Sequence, residues 1–142
     1  MLVRLLYASR ATQAPSAAVV DSILAQSRQR NPERGITGIL CYSDDIFLQV
    51  LEGARDEVCE TFNSIVRDPR HVNVRLLKFE EIGERRFGGW TMGQVNMAKV
   101  NPSLLLKYAA KPVLDPFSLP GNASLALLEE LIATASVLGR AG

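Results

Sequence analysis

Residues 36–53 read ITGILCYSDDIFLQVLEG, two apolar, partly β-branched runs joined by Asp44 and Asp45. Each run is long enough for a strand and the acidic pair suits a tight turn, so the stretch is expected to form a β-hairpin. Strand periodicity in the second run sets Phe47, Gln49 and Leu51 on one face and Ile46, Leu48 and Val50 on the other. Both faces are then largely apolar, the pattern of a strand in the middle of a sheet. Gln49 is the exception. A buried amide without partners costs on the order of 1 to 3 kcal/mol, so it either bonds backbone or water at a sheet edge or meets a polar ligand.

Working outward, residues 2–8 (LVRLLYA) form a first strand with Val3, Leu5 and Tyr7 on one face. Ser16 is placed to cap a helix carrying Val19, Val20, Ile23 and Leu24 at helical spacing, and Pro32 with Gly35 predicts its end at Arg30 and Asn31. Beyond the hairpin, Val58, Phe62, Ile65 and Val66 mark a second helix over 54–68, with Asp56 and Glu57 in its first turn. NVRLLKFEEI (73–82) is a fourth strand and GWTMGQVN (89–96) a fifth, with Trp90, Met92 and Gln94 sharing a face. The order βαββαββ predicts an α+β, ferredoxin-like sandwich, a five-stranded mixed sheet with two helices on one face. Two C-terminal helices follow. Asn101 and Pro102 start one, and 122–138 repeats apolar residues at Leu128, Leu131, Ile132, Ala135 and Leu138, a stripe that packs on the sheet or on another subunit.

Composition bounds the function. A chain of 142 residues with 47% hydrophobic content fills one core. Sixteen Lys and Arg against 15 Asp and Glu give a net charge of +1, with no basic block for nucleic acid or an anionic membrane. An arginine interrupts the apolar start, and neither a signal peptide nor a transmembrane segment is indicated, so the expected location is the cytoplasm. Cys41 and Cys59 stand apart from any ligand cluster and are expected to be buried free thiols, with no metal site. Tyr7 reads either as an ordinary core tyrosine or as part of a polar site with Gln49, and Asn31 either as a helix-ending residue or as part of the same site.

LLYASRAT, RNPERGITGILCYSDDIFLQVLEG, RDPRH and RRFGGWTMG occur in that order, and the chain over about residues 1–97 resembles the BLUF family of blue-light sensors that use FAD. The resemblance implies a sensor domain over 1–97, a helical extension over 98–142, and a flavin lying between the two helices against the sheet. Ile23 and Leu24 would contact its faces, Asn31 would pair with its amide-like edge, and Arg30 and Arg70 would flank that edge. Gln49 would sit between Tyr7 and the flavin. In the mechanism the family implies, light excites the flavin, Tyr7 supplies an electron and then a proton, and recombination leaves the Gln49 amide rotated or tautomerised. Trp90 and Met92 would carry the change to the tail, and the output would be a homo-oligomer or a separate protein partner rather than an enzymatic reaction. Pro32 stands where some relatives carry a second polar residue, so phosphate contacts are left unspecified. His71 is assigned no catalytic role and is expected at a helix end or on the surface.

Two other classes compete. An acylphosphatase-like enzyme would need a phosphate-cradling loop after the first strand, and SRATQAP lacks one. A colourless ligand-binding regulatory module of the same fold would use the cleft without photochemistry. Within the family, a domain that binds flavin without signalling is a further alternative.

Overall fold

The computed structural model describes residues 1–12, 17–134 and 137–138. The strands are β1 (Leu2–Ala11), β2 (Thr37–Ser43), β3 (Ile46–Ala54), β4 (His71–Ile82) and β5 (Gly93–Asn96). The helices are α1 (Ala17–Arg34), α2 (Arg55–Arg67), α3 (Pro102–Leu106) and α4 (Gly121–Ala133), with a 3₁₀ turn at Met97–Lys99. The sheet order is β4-β1-β3-β2-β5, antiparallel except where β5 lies parallel to β2. This is the ferredoxin-like α+β arrangement expected from the element order.

The hairpin sets the register. Ser43 pairs with Ile46 across the Asp44–Asp45 turn, where Asp44 takes a positive φ of 50°. Gly38 keeps β2 close to β3, since a Cβ there would lie 2.0 Å from the Val50 carbonyl oxygen. β3 is central, flanked by β1 and β2, and its side chains alternate between two separate cores. Phe47 and Leu51 join Leu5, Ile23, Leu24 and Val58 under the two helices. Leu48 and Val50 join Leu6, Ile39, Leu105, Leu128 and Leu131 under the tail. The apolar tail stripe therefore covers the sheet's second face; Leu138 departs from it, 64% exposed and bridged to Gln94, and Ala135 lies outside the described residues.

Several boundaries differ from expectation. α1 does not end at Arg30 and Asn31 but continues to Arg34 with Pro32 inside its last turn. The closing bonds explain this: Ile36 N–H reaches the Asn31 carbonyl and Gly35 N–H the Pro32 carbonyl, with Gly35 at φ 65°. This six-to-one, five-to-two pattern satisfies carbonyls at the end of the helix and offsets the one i→i−4 bond that Pro32 cannot donate. The Ser16 cap lies outside the described residues. β5 begins only at Gly93, because Trp90 N–H bonds back to Phe87 and the Trp90 carbonyl is taken by Gly38 N–H, leaving no extended ladder before it. Asn101 caps α3 as expected, accepting from Ser103 N–H at 2.9 Å. Cys41 is buried and Cys59 half-buried, both free thiols.

Candidate functional site

α1 and α2 run side by side over the sheet and leave between them a cavity of about 280 Å³. Its floor is β1 and β3. Tyr7 and Gln49 are register partners on these strands, and both point to the helix side. The Tyr7 hydroxyl donates to Gln49 Oε1 in a short hydrogen bond, and Gln49 Nε2 donates to Met92 Sδ at 3.2 Å. Tyr7 is fully buried and Gln49 is 3% exposed, so the chain is shielded from solvent on the protein side. Burial pushes the Tyr7 hydroxyl well above the ordinary phenol range, with the Asp68 charge adding to the rise and Arg70 opposing it. The phenol therefore stays protonated and acts as a donor. Gln49 is not the edge amide of the alternative reading; it is a central-strand amide using both its acceptor and its donor ends.

The remaining candidates fall in distinct places. Ile23, Arg30, Asn31 and Arg70 line the cavity, whereas Leu24 does not and is buried in the core beneath α1. Its direction follows from helix geometry, as one residue past Ile23 lies about 100° further round. Asn31 is 4% exposed, and its Nδ2 donates to the Thr91 carbonyl at 3.1 Å. Arg70 spans the end of the cavity, bonding Asp68 Oδ2 at 2.6 Å, Gln26 Oε1 at 2.7 Å and Ser22 Oγ at 3.0 Å. Burial alone would raise the Asp68 carboxyl, but the Arg70 bonds and charge outweigh it and hold it below the usual range. Arg30 stands exposed at the rim.

Trp90 and Met92 do not share a face of the fifth strand. Both precede β5, and they pack on opposite sides of the sheet, Met92 under the helices beside Gln49 and Trp90 among the tail residues. Three successive carbonyls hold this segment: Trp90 accepts from Gly38 N–H, Thr91 from Asn31 Nδ2, and Met92 from Arg28 Nε and Nη2 at 3.3 Å. His71 also departs from expectation. It is 8% exposed, its Nδ1 lies 2.8 Å from Ser9 Oγ, and its ring sits 5.1 Å from Phe47 and 6.4 Å from Tyr7. Burial lowers its affinity for a proton, Asp68 opposing and Arg70 adding to the effect. Arg28, Arg34 and Arg67 were not singled out from sequence; Arg30 and Arg34 at a four-residue spacing were a legible signal of a shared helix face.

The site's chemistry suits a flat, polar-edged aromatic ligand. Ile23, Leu51 and Ile65 supply apolar wall, while Asn31, Gln49 and the arginines supply donors and acceptors at its margins. Among the described residues no group of three or more His, Cys, Asp or Glu could hold a metal ion. No helix among them is long and apolar enough to cross a membrane.

Residues 2–93 match the family model described as "BLUF: Sensors of blue-light using FAD". The chain is 35% identical over 92 residues to the photoactivated adenylate cyclase subunit beta of Euglena longa, a match covering 64% of this chain and 11% of that protein. It is 32% identical over 88 residues to the blue light- and temperature-regulated antirepressor BluF of Escherichia coli (strain K12), covering 62% of this chain and 22% of that one. It thus spans only a small part of the length of these curated relatives. Among solved structures, the dark state of BlrB, a BLUF protein, superposes with a TM-score of 0.78 at 37% identity, covering 94% of this chain and 96% of that one. The photo-activated state of BlsA gives a TM-score of 0.81 at 32% identity, covering 93% and 95%.

Proposed function

The chain belongs to the BLUF family, flavin-binding sensors of blue light that use FAD, and from that premise we propose that light rearranges the Tyr7–Gln49–Met92 chain on the cavity floor. The observation that carries this reading is the pair of bonds meeting at Gln49, one accepted from Tyr7 and one donated to Met92. When bound, FAD supplies the absorption of blue light and an excited state able to take up an electron. Ile23 and Ile65 would flank the ring system, and Asn31, Arg30 and Arg70 would meet its polar edge. Tyr7 gives up an electron and its hydroxyl proton and regains both. Gln49 leaves the cycle with its amide turned or tautomerised.

The protein side favours such a switch. Met92 Sδ has lone pairs but no proton, so it accepts from an amide N–H and cannot donate to an amide oxygen. Turning Gln49 therefore breaks its bond to Met92, and Met92 moves against the carbonyl contacts that tie residues 90–92 to α1 and β2. Trp90, on the tail side, passes the displacement to α3 and α4 as a population shift. The chain then divides into a sensor over 1–97 and an output tail over 98–142. The tail acts by rearranging a homo-oligomer or by engaging a separate protein partner, with no catalytic turnover of its own.

An absorption spectrum of purified protein in darkness, after blue illumination and during recovery tests this. A flavin spectrum that shifts slightly red and returns is expected. A bound flavin without a shift would leave a binding domain that has lost signalling. A protein still colourless after FAD is added would favour the non-photoactive ligand-binding module.

A further inference from the structure

The floor of the cavity is buried and neutral, but its rim is cationic. Arg30 and Arg34 stand one turn apart on α1, and Arg67 stands at the end of α2 across the opening. Arg34 Nη1 reaches over to Thr61 Oγ1 on α2 at 3.4 Å. Among the described residues none of these three guanidinium groups forms an ion pair, and the one carboxylate lining the cavity, Asp68, is taken by Arg70. Three like charges around one opening repel one another, and an anion seated among them relieves that repulsion. A guanidinium presents a planar fork of donors that matches phosphate oxygens two at a time. Arg30 and Arg67 are exposed and Arg34 half-buried, as suits a ligand whose ring enters the cavity and whose charged end stays at the solvent boundary.

Resting on the flavin reading above, we infer that Arg34 and Arg67, with the charge of Arg30 behind them at the ring edge, hold the phosphate of a flavin nucleotide, so that this pocket selects phosphorylated flavins over riboflavin. The arginines take the place of the Gly-rich phosphate loop that the sequence lacks. They act by charge on the ribityl-phosphate end, whereas Asn31 and Gln49 address the ring.

The test is a titration of the full chain, freed of its flavin, with riboflavin, FMN and FAD, read by quenching of flavin fluorescence. At about 20 mM salt, FMN and FAD should bind about tenfold tighter than riboflavin. The gap should narrow toward about 0.3 M salt as the rim is screened, while riboflavin affinity holds. Arg34→Gln combined with Arg67→Gln should remove most of the preference and leave riboflavin binding unchanged; Arg34→Lys should keep it. Equal affinity for the three flavins in the unaltered chain at low salt overturns the inference and leaves the flavin reading standing. Failure to bind any of the three overturns the flavin reading and this inference with it. The salt comparison needs no variant, so a variant that fails to fold does not shield the inference.

Discussion

The two faces of the sheet each bury a polar cluster, and the clusters are built on opposite principles. Under the tail, Arg4 and Glu52 form an ion pair at 2.8 Å, with side chains 5% and 0% exposed. Arg4 also reaches Glu80 at 2.6 Å, and the Glu52 carboxylate accepts from the backbone N–H of Phe87 at 2.7 Å and of Arg86 at 3.2 Å. Under the helices, Tyr7, Gln49 and Met92 form a chain of neutral groups. An ion pair whose lone pairs are filled has one good arrangement, and loss of a partner strands a buried charge. An amide has a donor and an acceptor of similar shape, and a phenol can donate or accept, so the second cluster can be bonded in more than one arrangement. The first cluster holds Arg86 and Phe87 at the head of the segment that ends at Met92; the second is the one that rearranges in the proposed mechanism.

The largest effect expected is on stability. Glu52→Gln keeps the shape but leaves Arg4 with Glu80 alone and weakens the hold on Phe87, at a cost of about 3 kcal/mol in chemical denaturation of the flavin-loaded protein. The light-induced red shift should survive wherever the variant is folded. A stable Glu52→Gln protein with no red shift would reverse the roles assigned to the two faces.

Next in size, Gln49→Leu should abolish the red shift while costing about 1 to 2 kcal/mol, because the groups that lose a partner, the Tyr7 hydroxyl and Met92 Sδ, are both neutral. Absorption difference spectra and denaturation curves on the same samples separate the two readouts. A full red shift in this variant would remove Gln49 from the photochemistry.

The face with the neutral cluster was the more legible one. Period-two alternation put Tyr7 and Gln49 each among apolar neighbours on one face of its own strand, the resemblance implied that the two meet, and the register makes them cross-strand partners. The ionic cluster went unread because Arg4 and Glu52 are 48 residues apart and meet only through pairing of β1 with β3. A signal was present nonetheless. Arg4 alternates with Leu6 and Ala8 on a strand with no polar face, so it had to find a carboxylate. Trp90 and Met92 were misplaced for a related reason: alternation presumes an extended chain, and the Phe87–Trp90 turn breaks that presumption. The expected end of α1 at Asn31 falls too early because it lets Pro32 stop the helix and gives Gly35 only a turn, whereas the positive φ of Gly35 provides the real terminus. Leu24 was implied with Ile23 by the resemblance, and the turn of about 100° between adjacent helical residues carries it into the core instead.

A smaller effect sharpens how the neutral face is coupled to its surroundings. Arg28 Nε and Nη2 hold the Met92 carbonyl from an exposed position on α1. Arg28→Ala should cost no more than about 1 kcal/mol, since water replaces an exposed donor. It should leave the red shift intact and change the dark-recovery rate severalfold, because Met92 then adjusts to either amide arrangement with less restraint. Recovery at an unchanged rate would mean that the Arg28 contact does not restrain the switch.

The smallest effect comes from His71, which borders the neutral cluster and is the single histidine of the chain. Its folded pKa is lowered from 6.5 chiefly by burial, so below pH 6.5 the unfolded chain takes up a proton that the folded protein resists. Stability conferred by the neutral ring is therefore complete above pH 6.5 and is lost as pH falls from there through the folded pKa. The carboxylates with lowered pKa values, Asp68, Glu80 and Glu130, start from 3.8 and 4.5 and titrate in a lower window. Thermal melts of the flavin-loaded protein at about pH 7 and pH 5.5 thus isolate His71 from them. A fall in Tm toward pH 5.5 that disappears in His71→Gln is expected. An identical fall in the variant would assign the slope to another group, and would mean that the bond between His71 and Ser9 withstands protonation, with Nδ1 donating to Ser9 Oγ in place of accepting from it.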